Sequence, residues 1–277
     1  MDPYPPGFEE HEETRSRFIR QLTLQQMKVH DRPSAAPLCA TGAIPRKLVR
    51  YWHDPGALPD DVADCLSSWD RLAGEGFELH MFGDASAAAY VAAVHGERGA
   101  AAFSLCGHPA MRCDYFRLCF ILKEGGFYVD ADDVLIGDGW RDLFADETLK
   151  LQPLCYDIPA GGMLPAADIW QADLPREGRV FYVNNDPLVA PPGHPVIRRA
   201  LENATDKLLR GGPAPEIQST TGPGNLTSAL VAHARELQLS GAPYDFRFLR
   251  DWDAIAEVRW ALSYRWDERN WRNVYGC

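Results

Sequence analysis

The sequence predicts an α/β domain built on a mostly parallel central sheet, and three observations carry that prediction. Between Ile44 and Asp133 the pattern runs strand, helix, strand, helix, helix, strand, the alternation from which parallel sheets are made. Helical spacing of apolar residues stops at Gly125-Gly126 and gives way to the strand formers Phe127, Tyr128 and Val129. Trp52 and the acids Asp130 and Asp132 fall at the carboxyl ends of strands, where sheets of this class hold their ligands.

With 277 residues, 46% of them hydrophobic, the chain can form one large domain or two small ones. A net charge of -11 argues against nucleic acid or an anionic membrane as partner. It leaves a nucleotide ligand open, because a metal or one arginine can meet that charge locally. No run approaches the roughly 18 apolar residues of a membrane span, so no transmembrane segment is expected. The acidic start MDPYPPGFEEHEE is unlike a secretory signal. Seven cysteines, without a C-x-x-C pair, read as reduced thiols of a cytoplasmic protein. On that reading the N-x-Thr sequons at Asn203 and Asn225 carry no glycan. Only five of the 28 basic residues are lysine, an arginine bias associated with GC-rich bacterial genomes.

Taken in order, residues 1–43 read as an N-terminal helical appendage and linker, and 44–277 as the main domain. Glu9–Met27 has the pattern of an amphipathic helix, with Phe18, Leu22 and Met27 on its apolar side, and 28–43 reads as the linker. Ile44–Trp52 enters the domain, with a buried strand over Leu48–Trp52. Pro59, Asp60 and Asp61 suit a first helical turn, and Val62, Leu66 and Trp69 share a stripe, so a helix is expected over Leu58–Trp69. Phe77–Phe82 alternates as a second strand, Gly83-Asp84 turns the chain, and residues 85–103 form an alanine-rich helix. Residues 145–176, with Pro153, Pro159, Gly161, Gly162 and Pro165, read as an irregular, loop-rich insert. Val180–Ala190 holds two apolar runs split by Asn184-Asn185-Asp186, and His194-Pro195 opens a helix. Gly222-Pro223 is a turn before another helix. The tail carries four of the eight tryptophans, Trp252, Trp260, Trp266 and Trp271, most of them expected in the core. His80, His95 and His108 lack metal-ligand spacing.

The segment Pro109–Asp133 carries the chemistry. Pro109 suits the first turn of a helix through Glu124, on which Asp114 and Arg117 are three apart and share a face. The strand after Gly126 delivers Asp130 and Asp132 to one side, and two carboxylates so placed repel unless something positive lies between them. An EF-hand is excluded, since Val134 and Leu135 stand where its loop needs Asp or Asn and then Gly.

Asp114-x-x-Arg117 followed by Gly125-Gly126-x-Tyr128-x-Asp130-x-Asp132 resembles the signature of the family 32-like DXD-motif glycosyltransferases, relatives of capsular-polysaccharide sugar transferases and mannosyltransferases. The resemblance extends to Ile44, Pro45 and Trp52 of the opening segment, with Val49 departing where the family has histidine. It continues through Ser68-Trp69, Phe77-Glu78-Leu79 and the Thr221-Gly222-Pro223 loop. In the tail, Tyr264 and Arg265 stand where the family often has histidines, and Asn270 where it has serine. The resemblance implies a GT-A type domain, a Rossmann-like nucleotide-sugar-binding fold. It also implies a retaining hexosyltransferase that moves a sugar from a nucleotide-diphosphate sugar, UDP-linked ahead of GDP-linked, to an acceptor glycan, natural product or protein.

The same resemblance implies the site. Asp114, Arg117, Asp130 and Asp132 are the catalytic set, and Mn2+ or Mg2+ is held by Asp132, Asp130 and Asn270. Tyr51, Trp52, Gly125, Gly126, Tyr128, Thr221, Gly222, Pro223, Arg265 and Trp271 join Asp114, Arg117 and Asp130 in contacting substrate. Trp52 would stack on the base or serve as a core residue, two readings of equal weight from the residues, and Arg265 would reach the diphosphate. No base carboxylate stands out among Asp157, Asp173 and Glu216. Two other readings compete: a sugar-nucleotide-binding protein without turnover, raised by the altered tail, and a sugar nucleotidyltransferase. The acidic HDPGALPDD after the first strand argues against the latter, which needs a Gly-rich basic loop there.

Overall fold

A computed structural model describes residues 4–30, 43–211 and 216–275. In chain order its elements are α1 (Glu12–His30), β1 (Lys47–Tyr51), α2 (Asp60–Ser67), β2 (Glu78–Phe82), α3 (Asp84–Ser104), α4 (Pro109–Glu124), β3 (Gly126–Tyr128), β4 (Asp133–Leu135), β5 (Leu149–Asp157), β6 (Gly162–Met163), α5 (Ala166–Ile169), β7 (Arg179–Ala190), α6 (Pro195–Arg210), α7 (Ile217–Thr220), α8 (Pro223–Ser240), β8 (Phe246–Phe248), β9 (Ala256–Val258) and α9 (Trp271–Tyr275). Most of the expected linker, from 31 to 42, lies outside the described residues.

Seven strands form the main sheet in the order β2-β1-β3-β7-β5-β6, with β8 also paired to β5. β1 is parallel to β2 and β3, β7 is antiparallel to β3 and β5, and β8 is parallel to β5. Strands β1, β2, β3, β5 and β8 therefore run one way, and β6 and β7 run against them. This is the α/β class with a mostly parallel sheet that the sequence predicts, and it is consistent with the GT-A type. Alternate residues of the central strands enter opposite cores. Val49, Tyr128 and Leu188 pack among α3, α4, α6 and α8, whereas Leu48, Phe127 and Val189 pack with Trp69, Trp140 and Trp252. The sheet is thus buried on both faces, as parallel sheets require.

Helix α4 has the bounds read from the sequence, because its ends are chemically marked. Pro109 occupies the first turn, the His108 ring accepts the Ala110 N–H at 3.0 Å, and Gly125 closes the helix at φ 66°. A Cβ on Gly126, at φ 106°, would lie 2.5 Å from the Lys47 carbonyl oxygen, so only glycine lets β3 approach β1 there.

Three expectations change, and the N-terminal helix takes one of the two placements open to it, packing on the main domain. The irregular insert contains the nine-residue strand β5, which Pro153 disguises: it lacks the N–H a strand interior needs and sits where the β5–β7 register shifts. The two apolar runs of residues 180–190 are one strand, β7, in which residues 184–187 bulge opposite the single residue Gln152. The N-terminal helix packs as part of the core. Phe18, Ile19 and Leu22 are fully buried, and Arg20 donates to the carbonyls of Ile169 at 2.7 Å and Gln171 at 2.6 Å. In the tail only Trp252 is fully buried, while Trp260 and Trp266 are 55% and 83% exposed, because this segment of short turns lies outside both cores. Among the described residues no helix is long and apolar enough to cross a membrane.

Candidate functional site

A cavity of about 500 Å3 opens at the carboxyl ends of β1 and β3, between the β7 bulge and the C-terminal segment. Its volume is that of a small-molecule site. Arg117 ties its floor together. The guanidinium donates to the Asn185 carbonyl at 2.8 Å and to Asp130 Oδ1 at 3.0 Å, forms an ion pair with Asp114 Oδ1 at 3.0 Å, and lies 4.1 Å over the Tyr128 ring. Asp114 also accepts from Asn185 Nδ2 at 2.8 Å, and Asp130 from the Tyr128 hydroxyl at 2.5 Å. One buried cation thus fixes two acids that come from a helix and from a turn.

Burial pushes the Asp114 carboxyl up to about 6, against the pull of Arg117 and the hydrogen bond from Asn185. For Arg117 burial works the other way, but Asp130, Tyr128, Cys113 and Asp114 outweigh it and hold its proton more firmly than usual.

β3 ends at Tyr128, so Asp130 and Asp132 do not project from a strand. They sit in the connection to β4, because the Asp130 N–H turns away from the ladder to Asp186 Oδ1 at 2.9 Å. Each carboxylate then has its own partners. Asp132 accepts from the Tyr264 hydroxyl at 3.1 Å and makes a short ion pair with Arg265. Burial, reinforced by Asp130, raises the Asp132 carboxyl above the ordinary range. Next to it, Asp133 is fully buried with neither carboxylate oxygen reached by a donor hydrogen, and Asp186 is its neighbour. Burial and mutual repulsion push both carboxyls well upward.

Of the residues named from the sequence, Tyr51, Trp52, Asp114, Arg117, Asp130, Asp132, Pro223, Arg265, Asn270 and Trp271 line the cavity. Gly125, Gly126, Tyr128, Thr221 and Gly222 do not. The two glycines abut Pro192 and Lys47, and Tyr128 is fully buried beneath Arg117. Thr221 and Gly222 stand behind Asp114, Thr221 Oγ1 lying 3.4 Å from its Oδ2. Tyr51 is at the wall, but its hydroxyl is taken by Asp84. Trp52 is only 7% exposed, with its ring edge-on to Tyr264 at 5.3 Å, so it offers a ligand little free face. Asp157 pairs with Arg179 and Glu216 caps α7, and neither Asp157, Asp173 nor Glu216 lines the cavity. The sequence reading missed Asn184, Asn185 and Asp186 of the bulge, and Asp133, Tyr264 and Arg272. The polar break within residues 180–190 was the available signal for the first three.

Comparison with known proteins gives little to add. No family model and no curated protein matches the chain. A solved structure described as "PaToxG Glycosyltransferase" is similar to it over 97% of each chain, at 14% identity and a TM-score of 0.43.

The expected divalent ion can be tested against the side chains. Asp130 is engaged by Arg117 and Tyr128, and Asp132 by Arg265 and Tyr264. The Asn270 oxygen accepts the Arg272 N–H at 3.2 Å, while its amide nitrogen donates to the Arg265 carbonyl at 2.9 Å. Among the described residues no group of three or more His, Cys, Asp or Glu is arranged to hold a metal. The donor set as arranged does not fit the ion: Asp130 Oδ1 and Asp132 Oδ2 each hold a hydroxyl and a guanidinium, the Asn270 oxygen holds an N–H, and the three present no common open position.

Proposed function

We propose that this protein transfers a sugar from a nucleotide-diphosphate sugar, UDP-linked ahead of GDP-linked, to an acceptor hydroxyl or other nucleophile, with retention. The observation that carries the reading is the buried Asp114–Arg117–Asp130 knot at the floor of a cavity at the strand ends. It is the residue pattern read from the sequence, drawn into one rigid cluster. Such a knot suits a polyhydroxylated ligand. Asp114 accepts hydrogen bonds from sugar hydroxyls, and Asp130, whose side chain is 34% exposed, accepts from the ribose. Neither acid can swing away, so the sugar is held with its anomeric carbon in one orientation. The anomeric C–O bond then breaks with its electron pair going to the β-phosphate, the acceptor oxygen bonds to that carbon, and the acceptor's proton leaves with the diphosphate.

The test is hydrolysis and transfer measured with a panel of UDP- and GDP-sugars. Turnover of at least one donor, lost about 100-fold in Asp114→Asn at unchanged fold, is expected. Absence of both turnover and diphosphate binding with every donor would refute the reading. A binding protein without turnover is the second reading, favoured by the capture of Asp132 by Arg265. It predicts donor binding with no hydrolysis.

A further inference from the structure

The cavity is rich in acid, yet the ligand proposed for it carries a diphosphate. Asp114, Asp130, Asp132, Asp133 and Asp186 all line it. Something positive must face the phosphates, and the arginines can be sorted by what already holds them. Arg117 is committed to Asp114 and Asp130. Arg269 is committed to Asp267 at 2.7 Å. Arg272 remains, and so does Arg265, whose acidic partner Asp132 itself lines the cavity, unlike Asp267; both arginines are on the cavity wall.

Arg265 is held from three sides. Asp132 and Tyr264 form one side, its guanidinium lies 4.4 Å over the Trp260 ring, and its own carbonyl accepts from Asn270 Nδ2 at 2.9 Å and Asn273 Nδ2 at 3.0 Å. Asn270 thereby positions the arginine. The Ser263 hydroxyl donates to Asp61 Oδ1 at 3.0 Å, which anchors the segment to α2. Arg272 has no acidic partner among the described residues, and its guanidinium stacks on Trp260 at 5.0 Å and Trp271 at 5.4 Å. A planar guanidinium on an aromatic face keeps its N–H fork free for phosphate oxygens.

We infer that Arg265 and Arg272 supply the positive charge to the leaving diphosphate directly, taking the place of a divalent ion. Asp132 serves as the seat of Arg265, which explains why it accepts from Tyr264 and the guanidinium together. This rests on the glycosyl-transfer reading, in which the departing β-phosphate oxygen gains the electron pair of the broken bond. Two fixed guanidiniums stabilise that charge by Coulomb attraction and forked hydrogen bonds.

The experiment is calorimetric titration of UDP and of GDP into the full chain, with excess EDTA and then with excess Mn2+. Wild type is expected to bind one of them in EDTA within about threefold of its affinity in Mn2+. Arg265→Gln weakens binding in EDTA about tenfold or more, Arg272→Gln weakens it less, and Arg265→Lys falls between wild type and Arg265→Gln. Melting curves of each variant report whether the fold is kept, because the Arg265 side chain is only 14% exposed and pairs with the buried Asp132; Arg265→Lys retains that charge and separates loss of the fork from loss of the Asp132 partner. Binding that appears, or tightens about tenfold, only on adding Mn2+ overturns the inference alone, as does wild-type affinity in Arg265→Gln. Absence of binding by either nucleotide in both conditions overturns the glycosyl-transfer reading with it.

Discussion

Replacing Arg117 by lysine keeps the charge and removes the fork. The guanidinium spans the Asn185 carbonyl, Asp130 and Asp114 at 2.8 to 3.0 Å, and it covers the Tyr128 ring. A lysine ammonium on a flexible stem can reach one of these oxygens well, so two of the three charged contacts are lost or lengthened, at about 1.5 to 3 kcal/mol for each charge-assisted hydrogen bond among them. The retained charge still compensates the two acids, which keeps the loss below the ~3–5 kcal/mol of an orphaned buried pair. About 3 kcal/mol follows, a fall of roughly 6 to 12 °C in melting temperature for a chain of this size. Loosening the seats of Asp114 and Asp130 also costs about 100-fold in donor hydrolysis. Differential scanning calorimetry and a coupled assay for released nucleoside diphosphate read the two effects. A double-mutant cycle with Asp130→Asn should return a coupling of about 1 to 3 kcal/mol. A melting temperature within about 2 °C of wild type, or additive single mutants, would show that Arg117 is not the tie we describe.

Three further outcomes test other parts of the structure. Because burial raises the Asp114 carboxyl from 3.8 to about 6, the native state holds a proton there that the unfolded chain has lost. Its stabilising contribution is therefore complete below pH 4 and lost as pH rises through 6. Between pH 4 and 7, wild type should lose about 3 kcal/mol more stability than Asp114→Asn, and parallel urea midpoints would contradict this. Gly126→Ala drives a Cβ against the Lys47 carbonyl at positive φ, so it should destabilise by about 2 kcal/mol or more by urea titration without altering nucleotide affinity in the folded fraction. Arg20→Met strands the carbonyls of Ile169 and Gln171, so it should cost about 2 to 4 kcal/mol in chemical denaturation. An unchanged midpoint would restore the appendage reading of residues 1–43.

What the sequence disclosed of the fold follows how local the determining physics is. α4 was legible at both ends because its signals lie within the helix and its flanks: Pro109, the His108 cap and the left-handed Gly125. β1, β2 and the Gly125-Gly126 step into β3 were legible for the same reason. β5 was hidden because Pro153 counts against a strand interior, and only the bulged register opposite β7 makes room for it. The core role of α1 was hidden for another reason. Its buried Arg20 is satisfied by carbonyls about 150 residues away, and a charged residue on an otherwise apolar face reads as solvent-facing until those carbonyls are in place.

The same rule divides the candidate site. Asp114, Arg117 and Asp130 lie within one helix–turn–strand unit, so spacing alone brings them together, and the cavity forms around them. The residues that decide what the acids can do arrive from far along the chain. Asn185 and Asp186 come from a bulge that reads as a break between strands, and Tyr264 and Arg265 reach Asp132 across more than 130 residues. A D-x-D triplet suggests a cation between two carboxylates, and the suggestion is physically sound, since like charges so close need one. It does not say which cation. A short helix–turn–strand motif meets only half of that electrostatic demand, Arg117 at Asp130, and a guanidinium supplied by the tail, Arg265, meets the other half at Asp132. Motif reading at this site therefore locates the charge balance more securely than it identifies the partner, and the EDTA titration of Arg265→Gln measures that remaining difference.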